Sequence, residues 1–158
     1  MRLIPLVAAL ILTAAPLAAQ HGHDHLSEAD GLRILHAWTP ATSGPEALIY
    51  MEIENGSDHA LTLTGAETED GQRADLVGYE YVNGVETWQV LPEMPVAAGQ
   101  HLDLEPRGLA LRLSNLTAPL AEGDELEIEV MFGDLHLDVH VEVEAAGATA
   151  HRHAGHSH

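Results

Sequence analysis

The 158-residue chain contains no cysteine. That excludes a disulfide framework, a thiolate metal site and a thiol-linked lipid, so any metal must be held by His, Met, Asp or Glu. Lysine is missing as well: all six basic residues are Arg, they face 25 Asp and Glu, and the formal net charge is −19 with His neutral. Binding to phosphate needs Lys and Arg, so this balance argues against nucleic acid and anionic lipid as partners, whereas it attracts cations. Solubility in a salty or acidic medium would account for the same acidity.

Long apolar runs are also lacking. Leu3 to Ala15 is too short to span a bilayer comfortably, and no later stretch is apolar enough for a membrane helix. With Arg2 before it and the small residues of Pro16-Leu17-Ala18-Ala19 after it, that run reads as a secretory signal over residues 1–19. Export to the periplasm is the expectation, with the mature chain starting near Gln20 or His21. Its remaining length, about 138 residues, suits one domain that closes a core without cross-links. There is no nucleophile-elbow Ser, no His-Glu-x-x-His and no phosphate-binding Gly loop, so the sequence does not read as an enzyme.

Composition divides the rest into a His-rich N-terminal tail at 20–30, a patterned body at 31–145 and a His-rich C-terminal tail at 146–158. Both ends have too few large apolar groups to offset chain ordering and read as flexible. The body alternates apolar and polar residues over short runs bounded by Gly, Pro, Asn and Asp. About nine strands are expected, at 33–38, 47–55, 60–64, 74–81, 86–90, 101–104, 109–113, 125–132 and 135–143, with no helical period. This is the pattern of an all-β sandwich or small barrel. Gly133-Asp134 reads as a two-residue hairpin turn with Phe132 opposite Leu135. The register then puts Val130 and Ile128 on the buried side against Leu137 and Val139, and Met131, Glu129 and Glu127 on the other side against His136, Asp138 and His140.

From Ala37 to about Val143 the chain resembles the periplasmic copper chaperones called PCuAC. The resemblance is carried by Ala37-Trp38-Thr39-Pro40-Ala41-Thr42, Ile53-Glu54-Asn55, Val82-Asn83-Gly84-Val85, Val96-Ala97-Ala98-Gly99, His101-Leu102-Asp103-Leu104-Glu105-Pro106, Gly108, and the stretch from Leu116 to Asp124. It implies a cupredoxin-like Greek-key β-sandwich. It also implies a Cu(I) site made of a His, a Met and a closing His-x-Met, but those positions fall on Val77, Trp88, Ala110 and Arg112. Val and Ala offer no donor atom, the Trp indole only donates a hydrogen bond, and Arg is a fixed cation. The resemblance therefore implies a divergent member that keeps the scaffold and compartment without the family's Cu(I) ligands.

The remaining candidates are imidazoles. Seven of the twelve His lie at the two ends: His21, His23 and His25, then His151, His153, His156 and His158. Mobile His-rich tracts bind Cu(II), Zn(II) or Ni(II), because neutral imidazole is a borderline ligand and a loose chain can wrap the ion. A pH-dependent solubilising tail is the plainer alternative. Weaker metal candidates are Met131, His136, Asp138 and His140, whose plainer reading is a solvated face with His paired to Glu127 and Glu129. His36, His59 and His101 stand isolated in sequence and read as surface or turn residues. These features point to an exported copper metallochaperone or metal buffer that captures Cu(II), favoured over zinc, on its tails. Its partner would be an envelope cuproprotein acceptor such as an oxidase subunit. A zinc-scavenging protein and a non-metal accessory module on a degenerate scaffold are the alternatives.

Overall fold

The computed structural model describes residues 26–151, which form twelve β-strands and, among the described residues, no helix. They are β1 (Leu26–Ala29), β2 (Leu32–Pro40), β3 (Glu46–Asn55), β4 (Leu61–Leu63), β5 (Gly65–Thr68), β6 (Arg73–Val82), β7 (Val85–Val90), β8 (Met94–Val96), β9 (His101–Leu104), β10 (Leu109–Ser114), β11 (Glu125–Phe132) and β12 (Leu135–Glu144). Each of the nine expected strands is present, and β9 and β11 have the expected bounds. The last hairpin keeps the expected register from Glu127↔His140 to Phe132↔Leu135. Gly133 there has a φ of 65°, as the first position of a type II′ turn requires.

The three strands missed by sequence are short, of three or four residues each. β1 lies inside the stretch that composition assigns to the N-terminal tail, yet it pairs antiparallel with β2. β8 contains Pro95, which cannot donate a ladder hydrogen bond, and it pairs only with β4. β5 continues the apolar pattern of β4 but joins different neighbours, β11 and β6. The break between β4 and β5 is at Gly65, with a φ of 137°, where a Cβ would stand 2.8 Å from the Ala74 carbonyl oxygen.

The pairing order β2–β12–β11–β5–β6–β10–β3 returns to β2 through the β2–β3 ladder, so the Greek-key sheets form a closed hydrogen-bonded circuit. Closure leaves fewer free edges for other chains to pair with. It is completed by a parallel pairing between β2 and β12, with Trp38, Thr39 and Pro40 beside Glu142, Val143 and Glu144. The main core lies inside the circuit and includes Leu32, Ile34, Ile49, Ile53, Leu76, Leu111, Ile128 and Val141. Burying a side chain of this size is worth roughly 1.5–3 kcal/mol.

Candidate metal centre

Strand β2 carries the irregularity that shapes the site. Its register against β3 shifts between Leu35 and Trp38, and His36 has a φ of 51°, a left-handed conformation that His enters more readily than most residues. Before the bulge Leu32 and Ile34 face the main core, and after it Ala37 does. The alternation has moved by one residue, which turns Trp38 into a second apolar cluster.

That cluster consists of buried Trp38, Tyr50, Val77 and Ala110, with Leu48, Trp88 and Ala148 packed against it. The Trp38 and Tyr50 rings lie 4.9 Å apart and tilted by 43°. Burial raises the Tyr50 pKa above its ordinary value. Val77 and Ala110 are paired across β6 and β10 and are fully buried. Three of the four positions to which the resemblance assigns Cu(I) ligands thus belong to an apolar plug, and the fourth, Arg112, stands opposite Asp75.

Polar ligand chemistry gathers beside this plug. By strand alternation His136, Asp138, His140, Glu142 and Glu144 share one face of β12. Towards its end the face becomes covered: the Glu142 side chain is 24% exposed and that of Glu144 only 6%. The cover comes from residues 145–151, of which composition places 146–151 with the tail. They turn at the Ala148 N–H to Ala145 carbonyl hydrogen bond, pack Ala148 on the apolar plug and bury His151. His151 Nδ1 stands 3.0 Å from Glu144 Oε1 and 3.8 Å from Glu142 Oε2. One ligand atom from each of these three residues lies within 4.8 Å of the others, and no other group of three potential ligands among the described residues is so placed.

The His36 and His151 rings are 5.7 Å apart. Both line an open cleft of about 340 Å³, together with His101, Asp103, Glu52 and Met51. Within it His101 Nε2 is 2.6 Å from Asp103 Oδ1. Three imidazoles that are distant in sequence therefore share one recess. No local spacing rule could have found the group, since the bulge in β2, the pairing of β3 with β9 and the return of the C-terminal segment must all act together.

Of the ligands expected from sequence, His21, His23, His25, His153, His156 and His158 lie outside the described residues, while His151 is in the buried group. His136 is exposed with Nδ1 3.2 Å from Glu129 Oε2, the surface pairing expected of it. Asp138 and His140 are exposed opposite Glu129 and Glu127, and Met131 is half-buried opposite His136. Glu142, Glu144 and His36 were not read as ligands; the periodic placement of the two Glu on the His136 face was the available signal.

The family model described as "Putative lipoprotein LpqE-like" matches residues 32–147, nearly the whole described body. The chain belongs to the LpqE-like family. A curated relative, "Putative lipoprotein Lxx21020" of Leifsonia xyli subsp. xyli, is 27% identical over 108 residues, a match that covers 68% of this chain and 65% of that protein. Among solved structures the chain is similar to the apo PCuAC domain of PmoF2, with a TM-score of 0.63 at 18% identity over 80% of this chain and 99% of that one. The copper-bound PCuAC domain of PmoF2 matches with a TM-score of 0.61 at 18% identity over 75% and 97%. Apo-DR1885 from Deinococcus radiodurans gives 0.55 at 24% over 91% and 95%. The fold is thus the cupredoxin-like sandwich of the PCuAC domains, as the sequence resemblance implied.

Proposed function

We propose that this protein is an exported metal carrier of the cell envelope that captures Cu(II) on the imidazoles of its two ends and releases it to an acceptor. The observation that supports this reading most is the combination of a PCuAC fold with an apolar plug at Val77, Trp88 and Ala110, where the resemblance implies Cu(I) ligands. Soft thioether chemistry is absent from those positions, so the donors left are borderline imidazoles, which favour divalent ions. A copper-bound PCuAC domain among the similar structures and the lipoprotein name of the relative agree with copper and with export. Imidazole ligands outside a closed structural site exchange quickly, which suits handing an ion on; a structural site is closed and holds its metal.

The test is a titration of the full mature chain with Cu(II), Cu(I) and Zn(II), beside full-length variants with His21, His23 and His25, or His153, His156 and His158, replaced by Ala. Cu(II) should bind in more equivalents and more tightly to the unsubstituted chain. Equal Cu(II) binding by a chain lacking all six imidazoles would refute the tail mechanism. The emptied Cu(I) positions also favour a second reading, a non-metal accessory module. Failure of every variant and of the parent to bind any of the three ions would rule out the metal carrier and leave this second reading.

A further inference from the structure

We infer that the body of the protein carries its own divalent-cation site, formed by Glu142, Glu144 and His151 with His36 at its open side. This rests on the reading of the chain as a metal carrier and gives it a second, fixed site; it also separates His151 from the tail. Three independent features of the fold converge on it. Period-two alternation puts Glu142 and Glu144 on one face, so their carboxylates point the same way from residues two apart on β12. The C-terminal segment returns over that face and brings the imidazole down beside them, with its side chain 1% exposed. The bulge at His36 then sets a second imidazole against the first on the cleft side.

The geometry is that of a nearly formed ligand set. Donor atoms around a first-row cation stand about 3–3.5 Å apart, given metal–ligand bonds of about 2.0–2.2 Å. Nδ1 of His151 and Oε1 of Glu144 are already at 3.0 Å, and the third donor lies within 4.8 Å, a gap that rotation of the partly exposed Glu142 side chain can close. Two carboxylates and one or two imidazoles make a mixed oxygen and nitrogen set, suited to a divalent borderline ion such as Zn(II) or Cu(II) and ill-suited to Cu(I). Burial beneath the C-terminal segment favours slow exchange here, whereas the open cleft at His36 and His101 leaves one side from which an ion could enter. His151 precedes the imidazoles at 153, 156 and 158, so an ion gathered on the tail would have a fixed destination a few residues away.

The experiment uses the full mature chain in which His21, His23, His25, His153, His156 and His158 are all Ala and His151 is kept. Zn(II) binding is measured by calorimetry, and Co(II) is added as a spectroscopic probe of ligand number and type. One equivalent of Zn(II) should bind, and the Co(II) bands should report mixed oxygen and nitrogen coordination. Adding Glu142→Gln and Glu144→Gln, which keep side-chain shape, should weaken Zn(II) binding about 100-fold or more, beyond the 10–100-fold typical of losing a supporting partner. Thermal unfolding without metal checks that the variant is folded, and His151→Ala in the same background provides the answer if it is not. No saturable Zn(II) binding in the tail-substituted chain, or unchanged binding in the folded Gln or Ala variants, overturns the inference. Neither result touches the tail mechanism, whose failure is read separately as equal Cu(II) uptake by the parent and tail-substituted chains.

Discussion

The carboxamide of Asn55 donates to the carbonyls of His59 and Val96, both at 2.9 Å, while its oxygen accepts from the Ser57 amide at 3.1 Å and hydroxyl at 2.6 Å. One buried side chain thereby ties the end of β3 to the turn after it and to β8. Asn55→Ala strands several of these partners, so a loss of about 2 kcal/mol or more is expected in the denaturant-unfolding free energy. Tyr50 gives a second residue-scale prediction. Its pKa is raised by burial, so the native state holds its phenol proton to higher pH than the unfolded chain does. The corresponding stability is complete below the unfolded value of about 10 and declines as pH rises from there through the folded value. Unfolding midpoints across that range should fall more steeply for the parent than for Tyr50→Phe. The Cu(I) positions yield a third expectation: Val77→His, Trp88→Met, Ala110→His and Arg112→Met together should bind Cu(I) more tightly than the parent body, as a Cu(I) titration of both would show. The same variant should be less stable, because imidazole forced into the fully buried Ala110 position overpacks the plug at a typical cost of about 1–3 kcal/mol.

Two turns show how differently a glycine can constrain a strand. At the β11–β12 hairpin Gly133 has positive φ, but a Cβ there would meet nothing within 4 Å, so Gly133→Ala should cost only the conformational penalty of about 1–2 kcal/mol. At the β4–β5 break Gly65 combines a φ of 137° with a backbone oxygen 2.8 Å from the Cβ position. Gly65→Ala must displace the β5–β6 ladder, and its unfolding midpoint should fall well below that of Gly133→Ala. The hairpin was legible because its turn and its alternation lie within one short segment. The break was not, because Ala74, which decides it, is reached only after the chain has turned back.

At the scale of the whole molecule the net charge of −19 acts on every ion that approaches. Cu(II) association with the full chain should slow as salt is raised from about 0.01 to 1 M, where the Debye length falls from about 30 to 3 Å, and stopped-flow rates at several salt concentrations would show it. A rate independent of salt would mean that the acidic surface serves solubility alone. The alternation of β3, β6 and β9 to β12, the Gly133-Asp134 register and the absence of thiolate chemistry were all determined by sequence, because they depend on neighbours two residues apart or on composition. The ring closure through parallel β2 and β12, the bulge that sets His36 on the cleft and Trp38 in the second apolar cluster, and the burial of His151 beside Glu142 and Glu144 were decided only by the tertiary structure. Their physical cause is long-range: each needs surfaces from segments far apart in the chain, and the apolar contact of Ala148 with the plug formed by Trp38, Tyr50, Val77 and Ala110 turns a stretch that looks like tail into a wall of the candidate site.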